Sequence, residues 1–139
     1  MPKGYWGKIL RVNLSKGKTS IEVRDEKFYR TYVGGGCLAA YYLLSELGPG
    51  VDPLGPDNKL IFTTSVITGA PVPGLSRYNV AAKSPLTGGY GEAQAGGFWG
   101  AELKFAGYDA LVIEGSSRTP VYLWICDDEV EIRDADSIW

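Results

Sequence analysis

The sequence predicts an α+β fold in which β-hairpins form mixed sheets and two or three helices pack against them. Short segments of alternating apolar and polar residues recur along the chain, and turn residues separate them. Other segments show helical spacing of their apolar residues and end at glycine. The chain has 19 glycines, about twice the number in average composition, which indicates many tight turns and close backbone approaches.

The individual elements follow from the same patterns. Strands are predicted over 6–14, 19–23, 60–65, 78–83, 89–93, 110–114, 121–126 and 130–133, and helices over 25–32, 37–47 and 97–106. The strand over 6–14 sets Ile9, Arg11 and Asn13 against Leu10, Val12 and Leu14, and it is expected to bury one face. The triple glycine Gly34–Gly36 has two interpretations: it binds an anion, or it lets two elements pack closely around a sharp bend.

Composition excludes several classes of function. The 139 residues suit one domain, and a 45% hydrophobic content suffices for a core. The 14 basic residues are scattered and no apolar run could cross a membrane, so we expect no nucleic-acid or membrane partner and a cytoplasmic protein. The absence of histidine removes the commonest general base. Cys37 and Cys126 lie far apart and are expected to be buried small hydrophobes.

The stretch from Ser76 to Gly100 carries the candidate site. Arg77 precedes a strand, a tight turn follows, and a glycine-rich loop around Gly96 leads into a short helix. Backbone amides in such a loop, with a guanidinium nearby, suit an anionic, phosphorylated ligand. The simpler alternative for Arg77 is a surface salt bridge.

No catalytic apparatus is visible in this stretch. The glycines Gly91 and Gly96 have the spacing of a P-loop, but Gly97 and Phe98 stand where that motif needs Lys and Ser or Thr. Glu92 is expected in the loop and Glu102 on the surface of the following helix, with neither placed for acid–base chemistry. The residues themselves therefore predict an anion-binding α+β domain.

At this stretch the chain resembles a known family. The matching segments cover 7–14, 51–54, 58–61, 77–80, 83–88, 96–109 and 131–135, with KSPLTG and GAELKFAGYD the most specific strings. The chain resembles the N-terminal domain of the aldehyde ferredoxin oxidoreductase family, the tungstopterin enzymes of anaerobes. Residues 1–139 would then form a single, incomplete part of the family's cofactor base plate, a domain built from two β-sheets.

The resemblance implies a cofactor and an activity. Aldehyde and water become a carboxylic acid, and two electrons leave through a 4Fe–4S cluster to ferredoxin. Tungsten, or molybdenum, is held by two pterins whose phosphates are bridged by magnesium. By resemblance, Arg77 contacts a pterin phosphate and the backbone carbonyl of Gln94 binds magnesium. The backbones of Ala95 and Gly96 line the same pterin.

The sequence also departs from the family's pattern. The family commonly has Asn where Gln94 stands. A second arginine-containing phosphate loop, the acid–base Glu and His, and the four cluster cysteines belong to later parts of the family's chain. This chain alone is therefore expected to be inactive and to act with the remainder of its oxidoreductase chain or a companion subunit.

Two alternatives remain open at this point. The chain could be a non-catalytic subunit or scaffold that associates, also with itself, through exposed strand edges. A relative that reduces aromatic thioesters is the other possibility, although Arg77-Tyr78-Asn79 fits the aldehyde branch better.

Overall fold

The computed structural model describes residues 4–139, which form an α+β fold of three helices and eight strands. In chain order these are β1 (Lys8–Asn13), β2 (Lys18–Val23), α1 (Glu26–Tyr32), α2 (Gly35–Glu46), β3 (Lys59–Thr63), β4 (Tyr78–Lys83), β5 (Tyr90–Ala95), α3 (Trp99–Phe105), β6 (Ala110–Glu114), β7 (Val121–Cys126) and β8 (Glu129–Asp134). The predicted fold class is confirmed, and every predicted helix and strand has a counterpart.

The boundaries differ from the predicted ones by up to two residues, as at α2 and β5. Helix α2 begins at Gly35 rather than Cys37, because the Gly35 amide donates to the Thr64 carbonyl at 3.0 Å and holds the first turn in place. Strand β5 continues to Ala95, because the register of its pairing with β4 places Ala95 opposite Tyr78.

Six strands form one mixed sheet with the order β2-β1-β6-β3-β4-β5. Only β1 and β6 are parallel within this sheet, and the other neighbours are antiparallel. Strands β7 and β8 form a separate antiparallel hairpin. Strand β5 is therefore an edge strand of the large sheet, and its neighbour in the sheet is β4.

Both faces of the large sheet are covered. Helix α2 packs on one face over the core of Ile9, Leu38, Ala39, Tyr42, Leu43, Ile61, Ala81, Ala110 and Val112. On the other face, α3 and the β7–β8 hairpin pack over Leu10, Val12, Leu103, Tyr108 and Leu111. The prediction that β1 buries one face is thus too simple: Leu10 and Val12 are buried as expected, but Ile9 is equally buried beneath α2.

Beyond Ile9, β1 presents Arg11 to a group of charged side chains between the sheet and α2. We call Arg11, Glu22, Glu46, Lys59 and Glu114 the charge cluster. Arg11 binds both carboxylate oxygens of Glu46, each at 2.7 Å, and one oxygen of Glu22 at 3.0 Å. Lys59 bridges Glu46, at 3.2 Å, and Glu114. Because acidic and basic side chains alternate in this half-buried cluster, each carboxylate lies close to a cation.

The charge cluster is expected to make the fold acid-sensitive. The Arg11 guanidinium lowers the pKa of Glu46, and the Lys59 ammonium lowers the pKa of Glu114. Below the unfolded-state pKa of about 4.3 the unfolded chain binds more protons than the folded one. The stabilisation is therefore complete above that pKa and is lost as the pH falls through the folded-state values. We expect urea titrations to show a falling free energy of unfolding from about pH 5 to pH 3.

Glu46→Gln provides the control for this expectation. The amide cannot ionise, so the variant is expected to be less stable at pH 7 and to show a shallower pH dependence. An equally steep dependence in the variant would assign the acid sensitivity to other carboxylates.

Two further findings bear on the sequence predictions. Cys37 and Cys126 are both free and exposed, so the expectation of buried cysteines is wrong. Cys37 lies in the first turn of α2 and Cys126 ends β7, positions where the neighbouring side chains rather than the cysteines face the core. Among residues 4–139, none of the helices is long and apolar enough to cross a membrane.

Candidate functional site

The β4–β5 hairpin brings together the residues that the sequence singled out. Tyr78 pairs with Ala95, and Asn79 pairs with Gln94. Arg77 comes immediately before the first residue of β4, and Gly96 immediately after the last residue of β5. Because the two strands are antiparallel, these residues lie at the same end of the hairpin although they are far apart in the chain. We call this end, formed by Arg77 and residues 94–96, the open edge.

The hydrogen-bonding pattern of the hairpin fixes the direction of the Gln94 carbonyl. The Ser84 amide donates to the Gly89 carbonyl at 2.8 Å, which makes this pair a hydrogen-bonded one. Hydrogen-bonded and non-hydrogen-bonded pairs alternate along antiparallel strands, and the register makes Asn79–Gln94 a non-hydrogen-bonded pair. Because β5 is the last strand of the sheet, the main-chain groups of Gln94 point away from β4. Its carbonyl oxygen is thus available at the free side of the sheet.

Arg77 is exposed at this edge. Its guanidinium has no hydrogen bond or ion pair with any residue between 4 and 139. The alternative of a surface salt bridge therefore finds no partner in the described part of the chain. An exposed, unpaired guanidinium keeps all five of its N–H donors for a ligand.

The glycine-rich loop after β5 leads directly into α3, as the sequence predicted. Gly97 has a φ of 88° and turns the chain toward the helix, which begins at Trp99. Gly100 is buried in the first turn, where a Cβ atom would lie 3.1 Å from the Ser76 carbonyl oxygen. The glycine at this position lets α3 pack against the segment that carries Arg77. The open edge is thus held between a helix and a sheet.

A second set of polar groups lies on the α2 side of β5. The Glu92 carboxylate accepts hydrogen bonds from the Tyr90 hydroxyl at 2.9 Å, from Gln94 Nε2 at 3.2 Å and from Asn79 Nδ2. The bond from Gln94, followed by that from Tyr90, lowers the pKa of Glu92. Partial desolvation and the nearby Glu92 charge raise the pKa of Tyr90 to about 12. Glu92 therefore holds the Gln94 side chain, which leaves the Gln94 backbone for the open edge.

The structure corrects the prediction for Glu92 and agrees with the prediction for Glu102. Glu92 lies within β5 and not in a loop, so the P-loop-like spacing of Gly91 and Gly96 falls on a strand. Polar side chains at every second position from Tyr90 to Gln94 are a sequence signal from which their shared strand face could have been predicted. Glu102 is exposed on α3, as expected.

The triple glycine before α2 is explained by packing. A Cβ atom at Gly34 would lie 2.5 Å from the Thr64 carbonyl oxygen. The Gly34 and Gly35 amides already donate to the carbonyls of Tyr32 and Thr64. Two amides at this helix start are therefore committed within the chain, which favours the close-packing interpretation over anion binding.

Metal ligands are scarce in the part of the chain that the structure describes. Residues 4–139 contain no group of three or more His, Cys, Asp or Glu side chains arranged to hold a metal ion. The outward carbonyl of Gln94 is a hard oxygen donor of the kind that magnesium prefers, and it fits the ligand role that the resemblance implies.

Fold and site together define an α+β domain whose open edge suits a phosphate-bearing ligand. A family model described as "Aldehyde ferredoxin oxidoreductase, N-terminal domain" matches residues 9–139. The chain belongs to the aldehyde ferredoxin oxidoreductase family.

Individual relatives agree with this assignment. The tungsten-containing aldehyde ferredoxin oxidoreductase of Pyrococcus furiosus is 52% identical over 98% of this chain and 22% of its own length. The protein of the same name from Thermococcus kodakarensis is 53% identical over the same shares. The WOR-like subunit of an aliphatic sulfonate oxidoreductase from P. furiosus is 40% identical over 97% of this chain and 22% of its own.

A solved structure shows the same fold. The active site complex BamBC of benzoyl coenzyme A reductase, in complex with 1,5-dienoyl-CoA, superimposes with a TM-score of 0.95 and 38% sequence identity. The match covers 99% of this chain and 21% of that chain. This chain therefore spans about a fifth of the length of its relatives, as their 21% and 22% shares show.

Proposed function

We propose that this chain is the N-terminal tungstopterin-binding domain of a tungsten-dependent aldehyde:ferredoxin oxidoreductase. Relatives of that name share 52% and 53% of their aligned residues with it. The observation that supports the site is that the unpaired Arg77 side chain and the outward Gln94 carbonyl belong to the same end of the β4–β5 hairpin. When bound, the tungsten centre supplies the oxidation of aldehyde and water to carboxylic acid, with two electrons passing through a 4Fe–4S cluster to ferredoxin.

Each residue of the open edge has a role that its chemistry allows. Arg77 binds a pterin phosphate, because a planar guanidinium donates two parallel hydrogen bonds to phosphate oxygens. The Gln94 carbonyl would hold a magnesium ion beside that phosphate, since a backbone oxygen is a suitable ligand for it. Since the Gln94 side chain is already bound to Glu92, exchanging the family's common Asn for Gln leaves this backbone role intact.

Ala95 and Gly96 shape the surface next to that phosphate. Ala95 forms a hydrogen-bonded pair with Tyr78, so its backbone is held in place by β4 where it lines the site, and its small side chain leaves room for a ligand. Gly96 has no side chain, which lets a ligand approach the backbone closely.

The rest of the proposed activity belongs to other parts of the protein. The 4Fe–4S cluster, the acid–base groups and the second phosphate loop lie in the remainder of the oxidoreductase chain or in a companion subunit. Ferredoxin is the proposed electron acceptor of the whole enzyme. This chain by itself is expected to be inactive, and its cytoplasmic location stays a prediction.

One competing activity is supported by a specific observation. The matched solved structure belongs to a benzoyl coenzyme A reductase, whose name concerns an aromatic thioester. Its identity of 38% is lower than the 52% and 53% of the aldehyde enzymes. The difference favours aldehyde oxidation, and assays of the whole enzyme with an aldehyde and with benzoyl-CoA would distinguish the two.

Arg77→Ala tests the assignment of the site. In the longer enzyme that contains this chain, we expect the variant to lose most of its tungsten and pterin, because a charge-assisted bidentate contact to phosphate is lost. Metal analysis per polypeptide and a pterin fluorescence assay measure the loss. Iron content is expected to stay unchanged, since the cluster lies outside this domain.

Arg118→Ala is the matched control. Arg118 is also exposed, and it lies in the loop between β6 and β7, away from the open edge. Its replacement is expected to leave tungsten and pterin at the wild-type level. Full tungsten content in Arg77→Ala would remove Arg77 from the site.

A further inference from the structure

The loop between β3 and β4 carries Arg77 and is closed by one buried hydroxyl. Thr68 is 2% exposed. Its Oγ1 accepts a hydrogen bond from the Ser65 amide at 2.9 Å and donates one to the Arg77 carbonyl at 2.9 Å. The two partners lie at the beginning and the end of the loop. One side chain therefore joins the end of β3 to the residue that precedes β4.

Further bonds make the closed loop part of the core. The Gly69 amide donates to the Leu75 carbonyl at 2.9 Å and forms a second link across the loop. The buried ammonium of Lys104 donates to the Ser65 carbonyl at 3.2 Å. A continuous set of hydrogen bonds thus runs from Lys104 on α3 through Ser65 and Thr68 to the backbone of Arg77.

The polar contacts of the Thr68 hydroxyl are all used within this loop. A hydroxyl has one donor and two acceptor positions. The donor serves Arg77, one acceptor serves the Ser65 amide, and the Ser65 hydroxyl lies 3.2 Å away. Valine would fill the same volume, so packing alone does not require a hydroxyl at this buried position. What the hydroxyl adds is the connection to Arg77.

The connection matters because the Arg77 guanidinium has no hydrogen-bond or ion-pair partner within residues 4–139. The Arg77 backbone therefore fixes the point from which a flexible side chain extends. A small rotation of that backbone moves the end of a long arginine side chain by a large distance. Fixing the carbonyl reduces the conformational freedom that a ligand would otherwise have to remove.

We propose that Thr68 is a positioning residue for the phosphate-binding arginine: its hydroxyl holds the Arg77 backbone so that the guanidinium faces the open edge. This inference rests on the proposed role of Arg77 in binding a pterin phosphate. Thr68 itself touches no ligand and acts through the loop.

The test uses the longer enzyme and measures tungsten and pterin per polypeptide after growth with limiting tungstate. Thr68→Val is expected to lower both about fivefold, the loss that corresponds to one net hydrogen bond. Thr68→Ser keeps the hydroxyl, and its tungsten and pterin contents are expected to stay at the wild-type level. Adding Thr68→Val to Arg77→Ala is expected to cause no further loss, because Thr68 acts only through Arg77.

Thr64→Val is the matched control for a merely structural effect. Thr64 is 1% exposed and also donates to a main-chain carbonyl at 2.9 Å, that of Asp109. Thermal unfolding of the variants is expected to show similar destabilisation, with loss of tungsten and pterin confined to Thr68→Val. If Thr68→Val does not accumulate, Thr68→Cys, a weaker donor of similar size, replaces it.

The outcomes separate the inference from the proposed function. Loss in Arg77→Ala without loss in Thr68→Val would overturn the positioning role alone. An equal loss in Thr64→Val would overturn it as well, since general destabilisation would then explain the result. Wild-type tungsten in Arg77→Ala would overturn the proposed function, and the positioning role with it.

Discussion

We expect Lys104→Met to lower the free energy of unfolding by about 3–5 kcal/mol, the cost of leaving one member of a buried ion pair without its partner. The Lys104 and Asp109 side chains are only 1% and 3% exposed, and Lys104 Nζ lies 2.6 Å from Asp109 Oδ1. Without the ammonium, the Asp109 carboxylate would remain buried with its charge uncompensated.

The buried pair holds three parts of the fold together. Besides Lys104, the Asp109 carboxylate accepts hydrogen bonds from the Trp6 amide at 2.9 and 3.0 Å and from the Gly7 amide at 2.8 Å. The Trp6 indole donates to the Lys104 carbonyl at 2.6 Å. The pair therefore joins α3 and the start of β6 to the segment that leads into β1.

Urea denaturation followed by tryptophan fluorescence measures the loss. Lys16→Met, at an exposed turn position, is the control and is expected to change the free energy by less than about 0.5 kcal/mol. In Lys104→Met combined with Asp109→Asn, the loss is expected to be smaller than the sum of the single losses, since the two side chains interact directly. A loss below about 1 kcal/mol in Lys104→Met would show that Asp109 is satisfied by its backbone donors alone.

The second large effect is expected at Gly34, where Ala is predicted to cost about 3 kcal/mol through two separate causes. Gly34 has a φ of 139°, a backbone conformation that residues with a Cβ atom rarely adopt. The added Cβ would also lie 2.5 Å from the Thr64 carbonyl oxygen and 2.9 Å from Ser65 Cα. Both contacts are with backbone, which cannot move aside without disturbing the end of β3.

Gly107→Ala separates the two causes. Gly107 has a φ of 96°, but a Cβ atom there would meet nothing within 4 Å. Its replacement is therefore expected to cost only the backbone strain, about 1 kcal/mol. Chemical denaturation of both variants tests the difference, and equal losses would contradict the role of close packing at Gly34.

Much of the fold could be predicted because its elements are encoded locally. The alternation in β1 and the helical spacing in α2 depend only on neighbouring residues, and these patterns placed every element to within a few positions. The open edge was also accessible from sequence, since one tight turn between β4 and β5 determines which residues lie beside Arg77.

Predictions failed where the environment of a residue comes from distant parts of the chain. Ile9 is buried on a face that the alternation assigned to solvent, because α2 covers it. Cys37 and Cys126 are exposed although free cysteine is usually buried, because their positions in α2 and β7 turn them away from both cores. Glu92 joins β4 to β5 through the Asn79 and Tyr90 side chains, and periodicity within a single strand contains no information about such contacts.

By itself the sequence determined the element types, the α+β class, the hairpin that forms the open edge and the resemblance to the family. These depend on local patterns and on motif strings. Only the tertiary structure reveals the parallel pairing of β1 with β6, the buried ion pair of Lys104 with Asp109, and the hydrogen bond from the Thr68 hydroxyl to the Arg77 carbonyl. Each of these joins groups that only the completed fold brings within hydrogen-bonding distance, where burial makes the energetic value of a polar contact high.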